Sequence, residues 1–473
     1  MKYDAIVIGS GPAGYVATIK LIRNGLKVAL IERKYLGGEC TNYGCIPSKA
    51  LIEVSHAVSA IESLRRLGLA CKFEYKDLSK VMDWVRSVVR RSRSGVRYLV
   101  SEADIYEGIG KIKSPHEVIV DGNGRREVIE GKNIVIATGT DPSPIPNLEF
   151  DGKYVLSNRE FFELKDIPNS ILIVGAGAIG TELSLALAKL GCEVHIVEIM
   201  DRVLPTYDPD VSRVVSKYMK ASGIDINTSS KVSSIEKKGE YVRVRIVRDG
   251  EAKELEVEKI LVAAGRICNT YGIGLEELGI EIGRKGIIKV DDKLRTKIKN
   301  IYAIGDITGP PQLAHKAHRE GLIVADVIAG KEPSLPRAPV PEVIYSHPEV
   351  ASVGINESEA LRRNLKALVV KYPFTAVPRD FTRLERTPDG FIKLIVEEGS
   401  GRLLGATIVG DGASELIHFL AAAITFKLSV KELSEVIYPH PTVSECIGEV
   451  AHLALGEPIH VPPMMSLVKR IRC

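Results

Sequence analysis

A strand–glycine turn–helix–strand pattern occurs at residues 4–32 and again at residues 171–198. The repetition predicts an α/β fold with two Rossmann-like dinucleotide-binding domains. The C-terminal stretch adds a third unit. Alternating strands such as Phe391-Ile392-Lys393-Leu394-Ile395-Val396, followed by helical patterns, read as a separate α+β domain. At 473 residues the chain is too long for one hydrophobic core, so several domains are expected. The motif order divides it into residues 1–148, residues 149–268, a return to the first domain over 269–338, and a last domain at 339–473.

The first unit carries Gly9, Gly11 and Gly14, with Glu32 closing its second strand; the second carries Gly175, Gly177, Gly180 and Glu198. All four positions are displaced by the same 166 residues, which a chance match rarely achieves. The first glycine of each set makes a tight turn, the second lets backbone approach a pyrophosphate, and the third permits close helix–strand packing. The following helix offers unpaired N–H groups and the positive end of its dipole to phosphate. The acidic residue, 18 positions past the last glycine, accepts hydrogen bonds from a ribose diol. Two such units imply two bound dinucleotides. A carboxylate at Glu198 repels a 2′-phosphate, so NAD is expected over NADP, although Arg202 stands four residues on.

Directly after the first unit comes Gly37-Gly38-Glu39-Cys40-Thr41-Asn42-Tyr43-Gly44-Cys45-Ile46-Pro47-Ser48-Lys49. Cysteines at this spacing can be bridged across one helical turn, and a helix N-terminus there favours the thiolate that disulfide exchange needs. A zinc site is the rival reading. The sequence shows no second close Cys or His pair to complete one, so no metal is expected. Two unrelated buried cysteines remain the bland alternative.

Composition narrows the class. Hydrophobic residues make up 45% and charged residues 26%, as in soluble globular proteins. With 64 basic against 60 acidic residues, the net charge of +4 suggests neither a nucleic-acid nor a membrane partner. No stretch reaches the roughly 18 apolar residues of a membrane span, and no secretory signal opens the chain. Seven scattered cysteines do not resemble a secreted disulfide framework. A reducing cytoplasmic compartment is the expectation, and there a cysteine pair is catalytic before it is structural.

The Gly-Gly-Glu-Cys-x4-Cys-Ile-Pro-Ser-Lys segment after a flavin-type glycine unit resembles the class I pyridine nucleotide–disulfide oxidoreductases, and among them the dihydrolipoamide dehydrogenases. The likeness covers nearly the whole chain. Ala137-Thr138-Gly139 resembles the second flavin-domain motif, and Thr296 to Asp306, ending Ile301-Tyr302-Ala303-Ile304-Gly305-Asp306, resembles the segment whose Asp bonds the ribityl chain. Leu313-Ala314-His315 follows it as in the family. Gly265-Arg266-x-x-Asn269 matches the end of the nicotinamide domain, with Cys268 where Pro is usual. His440-Pro441-Thr442-Val443-Ser444-Glu445 resembles the acid–base signature, and the last domain resembles the dimerisation domain.

This resemblance implies FAD and NAD as cofactors and oxidation of dihydrolipoamide to lipoamide. The alternative is an NAD(P)H-dependent reductase of another disulfide or of mercuric ion. It implies that Cys40 exchanges with substrate sulfur, that Cys45 faces the flavin, and that Lys49 pairs with Glu182 beside it. His440 then acts as acid–base across a homodimer interface, oriented by Glu445. The carrier is a lipoyl domain of a 2-oxo acid dehydrogenase complex or the glycine-cleavage carrier.

Departures from the family pattern are Glu39, Thr41 and Tyr43 around the cysteines and Tyr438-Pro439 before His440. Glu39 sets a negative charge beside Cys40. The arginines at 86, 90, 91, 93 and 97 read as the solvated face of an amphipathic helix. Cys71 and Cys192 read as packing residues, Cys446 as a thiol without a visible partner, and Cys473 as a free terminal thiol. Pro333, Pro336, Pro339 and Pro341 mark a linker.

Overall fold

The computed structural model describes residues 2–69, 77–122, 124–333, 338–462 and 467–471; Cys71, Pro336 and Cys473 lie outside these. The first apolar run forms the strand Tyr3–Ile8, at the centre of a parallel array with Val28–Glu32, Asp104–Glu107 and the end of Arg125–Ile136. Ile6 and Val7 are fully buried. Cover on both faces is why this strand reads as a continuous apolar run rather than an alternating one. Ile301–Ala303, from the returning segment, pairs in parallel with Ile134–Ile136 and so rejoins the first domain. The first half of Arg125–Ile136 pairs antiparallel with Glu117–Gly122, which pairs with Ile109–Ser114.

The second glycine unit repeats the arrangement. Ser170–Val174 lies between Glu193–Val197 and Lys259–Val262, flanked by Asp225–Asn227 and Val155–Leu156, all parallel. A three-stranded antiparallel sheet spans Lys231–Lys238, Tyr241–Arg248 and Glu251–Val257.

The C-terminal unit is a six-stranded antiparallel sheet with helices Ala413–Thr425 and Glu445–Leu455 packed on it. Its strand Phe391–Glu397 is buried on both sides along nearly its whole length. Lys393 is 2% exposed, and its Nζ meets Asp208 at 2.8 Å and Asp210 at 3.0 Å. The second glycine unit thus packs against the second face of this sheet. Buried charge survives there because it is paired.

Helix Cys45–Arg66 joins the layers. Pro47 sits in its first turn, where an N–H has no intrahelical acceptor, and Arg65 and Arg66 favour its C-terminal dipole end. Its Leu51 and Val58 share a core with Leu183 and Leu187 of helix Ala178–Lys189. Each fully buried leucine contributes about 1.5–3 kcal/mol.

Helix Ser79–Leu99 is amphipathic, with Met82, Val85, Val89 and Val96 buried. Arg90, Arg91 and Arg97 are exposed, as a solvated face requires. Arg86 and Arg93 depart from that expectation. Arg86 donates to Leu164 O at 2.6 Å, while Arg93 donates to Asn42 Oδ1 at 2.8 Å and lies 3.9 Å over the Tyr35 ring. Arg93 therefore ties the helix to the segment around the cysteines, and Arg86 ties it to the end of helix Asn158–Glu163. Cys192 and Cys446 are buried; burial pushes the Cys192 thiol up to about 12 and raises that of Cys446 further. No helix among the described residues is long and apolar enough to cross a membrane.

Candidate active site

The two glycine turns are geometric copies. A Cβ on Gly14 would fall 1.8 Å from Gly9 O, and one on Gly180 would fall 1.9 Å from Gly175 O. Gly11 and Gly177 have nothing within 4 Å of such an atom, so backbone there is open to an approaching group. Helices Pro12–Arg23 and Ala178–Lys189 begin immediately after, presenting free N–H groups.

Glu32 accepts from Ser10 N at 3.0 Å, Ser10 Oγ at 2.6 Å and Lys34 N at 3.0 Å. Glu198, 7% exposed, accepts from Ala176 N at 2.7 Å and Met200 N at 2.9 Å. Each carboxylate is braced by the turn it serves. Arg202 turns to Asp201 and Pro205 O instead.

A cavity of about 600 Å³ opens between the sheets. Its wall includes Gly9, Gly11, Glu32, Cys40, Cys45 and Lys49, and also Thr138, Gly139, Glu182, Gly305, Asp306 and Ala314. A volume of this order suits a large ligand. Thr138 Oγ1 is buried without a hydrogen-bond partner, and Asp306 Oδ2 accepts from Thr140 Oγ1 at 2.7 Å. An orphaned hydroxyl, an open glycine backbone and a carboxylate on one wall fit a dinucleotide with phosphate and polyol groups. Gly265 does not line this cavity; its carbonyl accepts from Ser143 N at 3.1 Å.

Cys40 and Cys45 form a disulfide. They do not share one helical turn. Cys40 lies in the short helix Gly38–Tyr43, Gly44 breaks the path, and Cys45 is the first residue of Cys45–Arg66. Gly44 has φ −123° and ψ −105°, which lets two helices meet at the bridge. Cys45 thus occupies a helix N-terminus, where the dipole favours a thiolate once the bridge is reduced.

One turn on, Lys49 Nζ lies 2.8 Å from Glu182 Oε2 and 4.6 Å from the Tyr345 ring centroid. Glu182 is 5% exposed, and its other oxygen accepts from Tyr345 N at 2.9 Å. The cation is therefore held at the cavity wall by a carboxylate fixed on its far side.

Glu39 is not a free charge. Its Oε1 accepts from Asn158 Nδ2 at 2.8 Å and lies 3.2 Å from an Arg266 nitrogen; its Oε2 accepts from Arg159 Nε at 2.9 Å. Asn158 also donates to Tyr43 O at 2.7 Å. Arg159 reaches on to Asp141 at 2.5 Å, which Arg33 meets at 2.7 Å and Asn269 at 2.9 Å. Burial works against the charges of both Asp141 and Arg159. The contacts of Asp141 with Arg159 and Asn269 outweigh that and hold its carboxyl at about 2, while Asp141 and Glu39 hold Arg159 above its ordinary range.

His440 and Glu445 do not line this cavity. His440 Nδ1 lies 2.8 Å from Glu445 Oε1, and the imidazole side chain is 67% exposed. Glu445 Oε2 accepts from Thr442 N at 2.8 Å. Burial raises the Glu445 carboxyl, but the bonds from His440 and Thr442 N outweigh it and leave it below the ordinary range. With a carboxylate accepting from Nδ1, the lone pair of Nε2 faces outward and is free to take a proton.

Sequence reading named Arg266 and Asn269 only as motif positions, and it missed Asn158, Arg159, Asp141 and Tyr345. The partners of Asn158 and Arg159 on Glu39 are 119 and 120 residues away, and Tyr345 is 163 from Glu182. No local spacing signals such contacts. Only the Ser157 and Glu160 capping box marked the start of helix Asn158–Glu163.

Residues 3–321 match the family model for pyridine nucleotide-disulphide oxidoreductase, and residues 340–451 match that for the dimerisation domain of the same family. The chain is 38% identical over 464 residues to dihydrolipoyl dehydrogenase of Bacillus subtilis (strain 168), covering 98% of each chain. Among solved structures, LpdA from Mycobacterium tuberculosis matches with a TM-score of 0.87 at 28% identity, over 95% of this chain and 99% of that one. The HOCl-induced flavoprotein disulfide reductase RclA from Escherichia coli matches with a TM-score of 0.83 at 28% identity, over 95% and 100%.

Proposed function

Because the chain belongs to the pyridine nucleotide-disulphide oxidoreductase family, with FAD and NAD as its cofactors, we propose that it oxidises dihydrolipoamide to lipoamide and reduces NAD⁺ to NADH. The observation that carries this reading is the Cys40–Cys45 bridge in the wall of the same cavity as the Gly9–Gly11 turn and Asp306.

Residues 1–148 and 269–338 hold FAD in this proposal, 149–268 hold NAD, and 339–473 form the dimer contact. Gly9, Gly11 and Gly14 with Glu32, Thr138, Gly139, Gly305, Asp306 and Ala314 serve FAD. Gly175, Gly177, Gly180, Glu198 and Gly265 serve NAD.

A substrate thiolate attacks Cys40 Sγ, and Cys45 leaves as a thiolate, stabilised by its helix N-terminus. The second substrate thiol then displaces Cys40 from the mixed disulfide. Lipoamide leaves, and two electrons and their protons have passed to the protein. FAD, held by the residues named above, would supply the two-electron redox chemistry between the protein dithiol and NAD⁺. Lys49, held by Glu182, presents a fixed positive charge at the cavity wall, where electron density grows during reduction.

His440 of the partner subunit takes the proton of the incoming dithiol, with Glu445 holding its tautomer. Its exposure within one chain, outside the cavity, supports an active site shared by two chains. The carrier is a lipoyl domain of a 2-oxo acid dehydrogenase complex or of glycine cleavage, and the compartment is the cytoplasm.

The test is anaerobic NADH formation from free dihydrolipoamide by the FAD-loaded protein, with NAD⁺ and NADP⁺ in parallel. Rapid turnover with NAD⁺, lost in Cys45→Ser, is expected. Flavin that NADH reduces, but without turnover, overturns the substrate and points to a reductase of another disulfide or of mercuric ion.

A further inference from the structure

Three arginines, Arg33, Arg159 and Arg266, converge beside the redox segment, and among the described residues two carboxylates, Glu39 and Asp141, pair with them. The fold needs the arginines there. Arg159 ties helix Asn158–Glu163 to Asp141, and Arg266 donates to Thr140 Oγ1 at 2.7 Å and Thr140 O at 2.9 Å, joining the end of the second unit to the first. A guanidinium cannot lose its proton in this setting, so each arginine is a permanent positive charge on the wall that Cys40 shares. Left unanswered, that charge stabilises the Cys40 thiolate and weakens it as a nucleophile, because nucleophilicity falls as thiol acidity rises.

We propose that Glu39 sets the acidity of the reduced Cys40 thiol by cancelling the field of Arg159 and Arg266. Glu39 is thus a positioning residue that acts through its neighbour in sequence. The inference rests on the role of Cys40 as the exchanging thiol. Its placement supports a charge function over a simple tether. Asn158 already fixes the same short helix through Tyr43 O, so a neutral residue at position 39 leaves one tie in place.

Of the other ionisable groups facing this segment, Arg93 is held by the neutral Asn42 Oδ1 and the Tyr35 ring, a charge common to every variant compared below. Lys49 is paired with Glu182. The Tyr43 hydroxyl donates to Glu163 at 3.3 Å, and Lys34 lies 5.3 Å over the Tyr43 ring. Glu39 is the group whose neutralisation leaves two arginines unbalanced.

The test uses the FAD-loaded Cys45→Ser protein, in which Cys40 is a free thiol. The rate of Cys40 alkylation by iodoacetamide is followed against pH, with the modified residue identified by peptide mass. Glu39→Gln should move the midpoint of the rate profile down by about half to one pH unit. Arg159→Gln should move it up, and Glu39→Asp, which keeps the charge but shortens the reach, should stay within about 0.3 unit of the parent. A tether without a charge role predicts something else: Glu39→Gln and Arg159→Gln shift together, and Glu39→Asp behaves like Glu39→Gln. That pattern, or no shift in Glu39→Gln, overturns the proposal. Should Arg159→Gln fail to retain flavin, the Asp and Gln variants at position 39 decide alone. The readout needs no lipoyl substrate, so it stands apart from the turnover assay of the proposed reaction.

Discussion

At the scale of single residues, the three glycines of a nucleotide turn share a motif but answer different constraints. Gly14 is close-packed against Gly9 O, whereas Gly11 faces open space. Gly14→Ala should therefore destabilise the fold itself, lowering the melting temperature even without flavin, because its methyl has backbone in its way. Gly11→Ala should leave the flavin-free protein's melting temperature within about 2 °C, since a surface change without contacts usually costs under 0.5 kcal/mol. Its flavin affinity should fall, because the methyl stands where phosphate must approach. Flavin titration and calorimetry on both variants check the split; equal flavin affinity in Gly11→Ala and the parent sinks it. The motif was legible in the sequence because spacing encodes a local turn. The environment of Glu39 was not. Read locally, Glu39 is a negative charge beside a cysteine; in the fold it meets arginines that come from 120 and 227 residues along the chain.

At the scale of elements, the joints between units are ionic as well as apolar. Lys393 on the central strand of the C-terminal sheet meets Asp208 and Asp210 beside helix Pro209–Ala221, and Asp208 also accepts from Glu357 N and Ser358 N, both at 3.1 Å. Lys393→Met leaves Asp208 buried without its cation, while Asp210 keeps Lys371 at 2.9 Å; the loss should cost about 3–5 kcal/mol. Denaturant unfolding measures it, and a loss below 1 kcal/mol contradicts the view of this joint as a paired buried charge. The alternation of Phe391–Val396 was read as one strand among several; that Lys393 points into protein was hidden, because its partners sit in another domain.

Acid stability belongs to the same scale. Asp141, Asp151 and Asp225 are each held at about 2, although burial works against their charge, through bonds chiefly from Arg159, Lys237 and Lys253 respectively. A carboxyl lowered in the folded state contributes stability that is complete above its unfolded value near 3.8 and is lost as pH falls through the folded value. The melting temperature should hold from pH 6 to about 5 and fall steeply between about 4 and 2. Asp151→Asn should flatten that fall. A variant with the parent's pH slope would show that Asp151 is not one of the groups responsible.

At the scale of the whole molecule, one chain brings Cys40, Cys45, Lys49 and the Gly9–Gly11 turn to one cavity and leaves its acid–base candidate outside it. His440 is 67% exposed and follows by three residues Ile437, which is 96% exposed, on a unit that matches a dimerisation domain. An oriented imidazole on such a face serves a cavity in another copy better than the cavity of its own chain. Complementation separates the two cases. Cys45→Ser and His440→Gln homodimers should each be inactive. After joint dissociation and reassociation, a shared site predicts that each heterodimer regains one working site, pairing intact Cys45 of one chain with intact His440 of the other. Random pairing makes half the dimers mixed, so activity should return to about a quarter of the parent value. If His440 served its own chain, both sites of every heterodimer would carry one lesion and no activity would return. Ile437→Arg should block the effect at its origin, giving monomers in sedimentation that retain flavin, accept electrons from NADH and fail to turn over dihydrolipoamide. Monomers of that variant with full turnover would place the proton acceptor within the chain and remove the need for a second subunit.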